Sequence, residues 1–79
     1  MNKQRRKDID AIVEQLEEIK NAIQCVYDEE EEYRDNIPEN MQSSERYETA
    51  DAACSALDDA LNNIDEAIDN LTSARDGGF

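Results

Sequence analysis

The sequence predicts an all-α protein, an antiparallel two-helix coiled-coil hairpin, from three observations. Apolar residues recur at alternating steps of three and four, the spacing of a coiled-coil seam. Two such stripes flank a short segment around Asn40 that holds the only proline, Pro38. The stripes are mirror images, because residues paired outward from Asn40 have numbers that sum to 80. The predicted seam residues are Ile9, Ile12, Leu16, Ile19, Ile23, Val26, Glu30 and Tyr33, then Tyr47, Ala50, Cys54, Leu57, Leu61, Ile64, Ile68 and Leu71.

The single domain, residues 1–79, is expected to hold helix 1 over residues 4–35 and helix 2 over residues 44–75. Ser44 is a natural N-cap for helix 2, since its hydroxyl can accept from an unpaired backbone N–H. Glycines end the second helix and leave a four-residue tail, 76–79, that finishes on a lone aromatic residue.

A turn over residues 36–43 separates the helices. Pro38 biases Ile37 away from the helical conformation. Asn36 and Glu39 have the spacing of a capping box, so residues 37–42 are expected to form a single helical turn.

The composition points to a thin core and a strongly acidic surface. The chain has 79 residues, 38% of them hydrophobic, and a net charge of −13. Low hydrophobicity with high charge also fits disorder, whereas the unbroken stripes favour a hairpin that gains order by associating. The first seven residues carry four bases, while residues 8–79 hold 21 acids against four bases. Direct nucleic-acid binding is not expected, and a basic or nucleic-acid-binding protein is the predicted partner.

No stretch of about 18 apolar residues predicts a membrane span, and the basic start lacks the apolar core of a signal peptide. Cys25 and Cys54 are interpreted as reduced thiols of a cytoplasmic protein, with a disulfide left open.

The first candidate binding surface is the alanine flank, a row of alanines beside the helix 2 seam together with one alanine of helix 1. Alanine can simply let two helices approach closely or supply helix propensity. Alternatively, the apolar face is too wide for one partner helix and docks a second hairpin, giving a homodimeric four-helix bundle, or another protein's helix. The flank consists of Ala22, Ala53, Ala60 and Ala67.

The second candidate surface is an acidic ridge on helix 2, in which Asp58 is expected to pair with Lys20 across the seam. Such ridges are usually solvated faces, but a rigid rod of about 32 residues spans about 48 Å. That length allows the ridge to imitate DNA electrostatically. The ridge consists of Asp51, Asp58, Asp59, Asp65, Glu66 and Asp69.

The third candidate surface is a turn-end patch, in which aromatic residues either cap the core or form an interface anchor. Its one charged seam residue, Glu30, is expected opposite Ala50, where it either snorkels or helps to select a register or partner. The patch consists of Tyr27, Glu30, Glu31, Tyr33, Ile37, Met41 and Tyr47.

Catalytic and metal-binding motifs are missing from the sequence. The chain has no histidine and only two glycines, both near the C-terminus, which excludes histidine-based catalysis, the usual zinc sites and a glycine-rich phosphate loop. We therefore predict a non-enzyme with no cofactor and no metal.

The order of motifs resembles small acidic helical-hairpin proteins of bacteriophage and prophage genomes, a family whose activity is not settled. The most distinctive part is the turn from Pro38 to Arg46. The resemblance covers most of the chain, with Cys25 and the last three residues departing from it. The motifs that carry it are Arg5-Arg6-Lys7, residues 9–26, Asp28-Glu29-Glu30, Asn36-Ile37-Pro38-Glu39-Asn40-Met41-Gln42, Ser44-Glu45-Arg46 and residues 64–71.

The resemblance implies a phage context, in the cytoplasm of a bacterial host, where small acidic proteins often inhibit host enzymes or defence systems. The leading hypothesis is a protein-protein interaction module that modulates or inhibits a host protein. The alternatives are a DNA-mimic inhibitor of a nucleic-acid-binding or defence enzyme, and a structural or scaffold component.

Overall fold

The computed structural model describes residues 1–77 and confirms the all-α hairpin. Two long helices, α1 (Lys3–Asp35) and α2 (Glu45–Asp76), run antiparallel and are joined by a turn that contains a short 3₁₀ helix, Glu39–Met41. The hairpin is a rod with principal dimensions of 59 × 16 × 12 Å. Gly78 and Phe79, the end of the expected tail, lie outside the described residues.

Polar side chains define where each helix begins. Ser44 caps α2 as the sequence predicts, its hydroxyl accepting from the Tyr47 backbone N–H at 3.3 Å. Asn2 does the same for α1, its side-chain oxygen accepting from the Arg5 N–H at 2.8 Å. At the other end of α2, the Gly77 N–H donates to the Ser73 carbonyl at 2.8 Å.

The turn differs from the expected single helical turn over residues 37–42. Asn36 closes α1 instead of opening the turn, since its backbone N–H donates to the Glu32 carbonyl. Pro38 stands at the N-cap of the 3₁₀ helix with no side-chain cap. Ile37 is only 4% exposed, so the turn contributes a residue to the core.

The core of the described chain is a thin seam between the two helices. Its buried side chains come from both helices and from the turn, and every predicted seam position of α2 is buried or half-buried. No larger hydrophobic layer can form in a rod of two helices, because each helix has only one neighbour. The buried residues are Ile9, Ile37, Ala50, Cys54 and Leu61.

The predicted face of α1 is wrong by a partial rotation. Four of its eight predicted seam residues, Ile12, Ile19, Val26 and Tyr33, are 43–51% exposed. The other four predicted seam residues of α1 are buried or half-buried: Ile9, Leu16, Ile23 and Glu30. The observed inward stripe is Ile9, Val13, Leu16, Lys20, Ile23, Tyr27, Glu30 and Arg34.

This stripe corresponds to a turn of α1 about its axis by roughly 50°, half the angle between neighbouring residues. Two long-range features are consistent with this rotation. Lys20 and Arg34 reach aspartates of α2 from the observed stripe. Ile37, which continues the seven-residue spacing of Ile23 and Glu30, is buried beyond the end of α1.

Candidate interaction surfaces

Three salt bridges between the helices, counted within residues 1–77, line one side of the seam, which we call the ion-paired side. Lys20 Nζ lies 2.6 Å from Asp65 Oδ1, and Arg34 Nη1 lies 2.9 Å from Asp51 Oδ1. Near the chain termini, the Arg75 guanidinium pairs with Asp10. The residue numbers in each pair (20 with 65, 34 with 51, 10 with 75) sum to 85.

The expected bridge from Lys20 to Asp58 is therefore wrong by one heptad. Once α1 is rotated, Lys20 lies in the inward stripe and reaches Asp65, two turns further along α2. A signal for this arrangement is present in the sequence. Lys20, Tyr27 and Arg34 recur at the same seven-residue interval as the aspartates at 51, 58 and 65.

The opposite side of the seam is marked by one polar contact near the turn. Arg46 Nε donates to the Tyr33 hydroxyl at 2.6 Å, and the guanidinium carbon lies 5.3 Å from the centre of the Tyr33 ring. Tyr33 is in register with Ile12, Ile19 and Val26, because residues seven apart share a row on a helix.

The contact between Tyr33 and Arg46 fixes which residues of α1 lie beside the alanine flank. Arg46 lies in the same row of α2 as the flank alanines. Because the helices are antiparallel, moving seven residues back along α1 from Tyr33 matches moving seven residues forward along α2 from Arg46. These matched steps place Val26 beside Ala53, Ile19 beside Ala60 and Ile12 beside Ala67. We call this surface the apolar face, and its members are Ile12, Ile19, Val26, Tyr33, Ala53, Ala60 and Ala67.

The alanine flank consequently has different neighbours from those expected. The three alanines of α2 are half-buried, beside exposed aliphatic residues of α1. Ala22, assigned to the same flank, is exposed in the next row outward. The observed face is thus wider and more apolar than the predicted one, because the prediction placed the large side chains of α1 in the buried seam.

Charge is segregated between the two sides of the hairpin. The two rows that flank the seam on the apolar face contain no acid and two bases, Arg5 and Arg46. The equivalent rows on the ion-paired side contain six acids in nine positions. Those nine residues are Lys3, Asp10, Glu17, Gln24, Glu31, Asp51, Asp58, Asp65 and Thr72.

The acidic ridge is partly neutralised. Asp51 and Asp65 each accept an ion pair from α1, which offsets two of its six charges. The other four carboxylates are exposed and extend from the ion-paired side towards the back of α2. They are Asp58, Asp59, Glu66 and Asp69.

The turn-end patch does not form one exposed surface. Ile37 belongs to the core, which corrects its assignment to a binding patch, while Tyr33 and Met41 are each 43% exposed. A hydrogen bond to Glu31 raises the pKa of Tyr27. The remaining members, Glu30, Glu31, Tyr27 and Tyr47, are half-buried.

The two cysteines are free thiols in different environments, with Cys54 buried and Cys25 exposed. Burial raises the pKa of Cys54, and the nearby carboxylates of Glu30 and Glu31 raise it further, against an opposing effect of Arg34. Glu30, the charged residue of the predicted seam, therefore lies within electrostatic reach of a core thiol.

Within residues 1–77 there is no pocket and no cluster of three or more potential metal ligands. Neither described helix is long and apolar enough to span a bilayer. Comparison with protein-family models, curated proteins and solved structures finds no match to this chain.

Proposed function

We propose that this protein is a non-catalytic protein-protein interaction module that binds through its apolar face. The observation that carries the proposal is the exposure of four large side chains in one row of α1, at 43–51% each. From Ile12 to Tyr33 the row extends about 32 Å along the helix. A continuous apolar surface of this kind on a small protein marks an interaction site.

The shape of the face suits a helical partner. Large residues of α1 border a shallow strip of small ones, Ala53, Ala60 and Ala67, so another helix can approach closely and pack its side chains against both rows. The hairpin itself leaves its seam thinly covered. Docking on the apolar face would bury additional apolar area while the acids of the ion-paired side stay in water.

The resemblance to phage and prophage hairpins supports the further proposal that the module modulates the activity of a host protein. The exposed acids Asp58, Asp59, Glu66 and Asp69 favour a second candidate function, a DNA mimic that occupies a nucleic-acid-binding protein. The two candidates use different surfaces, which makes them separable by mutation.

The test is capture of partner proteins from bacterial lysate by the immobilised chain, scored for each captured protein. We expect Ala60→Glu to reduce capture by about tenfold or more, because it places a charge in the apolar face. Ala52→Glu is the matched control, since it makes the same change at an exposed position on the outer side of α2.

A third variant neutralises the exposed ridge by Asp58→Asn, Asp59→Asn, Glu66→Gln and Asp69→Asn. If the apolar face is the binding surface, this variant retains the partner and its salt dependence. Loss of capture here, with Ala60→Glu unaffected, would replace the proposal by the DNA mimic. Very large homo-oligomers by light scattering would instead support the scaffold alternative.

A further inference from the structure

We infer that the occupant of the apolar face is a second copy of this chain, packed antiparallel to the first in a four-helix bundle. The inference rests on the proposed function, because it takes the apolar face as a docking surface. Three features of the described chain point to a second copy: the charge along the rod, the symmetry of the apolar row and the area of the face.

Charge is distributed unevenly along the length of the rod. The end that holds the chain termini, residues 1–10 and 69–77, contains five bases and four acids, a net charge of +1. The turn end, residues 27–48, contains two bases and nine acids, a net charge of −7.

An antiparallel dimer places each turn end beside the terminal end of the other copy, so charges of −7 and +1 become neighbours. A parallel dimer would bring two ends of −7 together, which like-charge repulsion disfavours. The six acids in the rows on the ion-paired side point away from the interface in either case. The antiparallel arrangement is therefore the one in which this acidic chain can bind itself.

The row of large residues is self-complementary under this symmetry. A twofold axis across the middle of the face reverses the row, so Ile12 lies opposite Tyr33 of the second copy and Ile19 opposite Val26 of the second copy. In the row of α2, Ala53 and Ala60 oppose each other in the same way. Small residues at this crossing let the two hairpins approach closely.

The face is large enough for a concentration-dependent dimer. The apolar row is about 32 Å long and the rod is 16 Å wide, which gives roughly 500 Å² per copy, at the low end of the areas that specific protein interfaces bury.

The first test is the mass of the full chain by sedimentation equilibrium, from about 1 to about 100 µM. We expect the wild type to approach twice the chain mass of 9.0 kDa, and Ile19→Asp to remain at the mass of one chain. Ala52→Asp, on the outer side of α2, should dimerise like the wild type. Circular dichroism of each variant at the same concentrations separates loss of association from loss of helix.

The second test is the direction of packing, measured by disulfide cross-linking in a Cys25→Ser background. Position 22 lies next to the twofold axis, so Ala22→Cys should form a covalent dimer with itself. Asp8→Cys shares the row of Ala22 but lies far from the axis, and it should not cross-link. Equal or faster cross-linking through position 8 would overturn the antiparallel arrangement.

A wild type of single-chain mass at about 100 µM would overturn the second copy as the occupant. Lysate capture that is lost in Ala60→Glu and kept in Ala52→Glu would still uphold the proposed function. A dimer that Ile19→Asp leaves intact would overturn the assignment of the apolar face itself.

Discussion

At the scale of single residues, the clearest contrast lies between the two cysteines. Cys54 is 2% exposed at the centre of the seam, whereas Cys25 is exposed on α1. Burial raises the pKa of Cys54, and Glu30 and Glu31 act in the same direction. The reactive form of a thiol is the thiolate, so burial lowers both the access to Cys54 and its reactive fraction.

We therefore expect one thiol per chain to react rapidly with a maleimide at pH 8, and mass spectrometry to locate it at Cys25. The Cys25→Ser variant should react at least about tenfold more slowly until denaturant is added. Cys54→Ser is the control and should keep the rapid phase. A rapid phase in folded Cys25→Ser would contradict the burial of Cys54.

The same pKa shift gives a pH dependence of stability. The folded pKa of Cys54 is raised above its ordinary value of 9.0, so folding favours the neutral thiol. The free energy of unfolding is unaffected by this group below that value and falls as pH rises through the folded pKa. Urea unfolding at pH 7 and pH 10 should show a larger alkaline loss for the wild type than for Cys54→Ala.

At the scale of elements, α2 is the more closely specified helix. Ser44 opens it, and its seam faces α1 at every expected position. Ala50 is 2% exposed and shows how closely the two helices approach near the turn. The small residue at this level of the seam is therefore a packing requirement as well as a good helix former.

Replacing Ala50 with leucine should destabilise the hairpin by about 1–3 kcal/mol, because a tightly packed site has no room for the added atoms. Ala52→Leu inserts the same side chain two residues away on the exposed side, where a change within about 0.5 kcal/mol is expected. Urea unfolding monitored by circular dichroism measures both. Equal losses in the two variants would mean that the close approach at Ala50 is absent.

At the scale of the whole molecule, net charge opposes compactness. The chain carries −13, and the three inter-helix salt bridges in the described part of the chain join side chains that are partly exposed. Such solvent-screened bridges contribute little to stability. Repulsion among many unbalanced acids should outweigh them.

Screening should consequently raise the Tm when sodium chloride is increased from about 0.01 M to about 0.15 M, where the Debye length falls from about 30 Å to about 8 Å. The ridge-neutralised variant, which removes four charges from the same surface, should show a smaller rise. The Ile19→Asp variant, which is expected to stay monomeric, shows whether salt raises the Tm of the single hairpin or acts through dimerisation. A Tm that falls with salt would give the salt bridges the larger role.

Much of the fold was predictable from the sequence because it depends on local chemistry. Alternating three- and four-residue spacing indicated two helices and their antiparallel return. Ser44 marked the start of α2 by its capping hydroxyl, and Pro38 marked the turn. The α2 seam was also predictable, because its outer positions are too polar or too small to offer a competing stripe.

Only the tertiary structure decided which face of α1 points inward. Ile9, Leu16 and Ile23 fit two overlapping stripes, one completed by Ile12 and Ile19 and the other by Val13 and Lys20, and apolar spacing favours the first. Lys20 reaches Asp65, Arg34 reaches Asp51, and Ile37 is buried in the turn, all in the second. These contacts join residues distant in the chain, so local periodicity does not predict them, and the orientation they accompany leaves an apolar face on the surface.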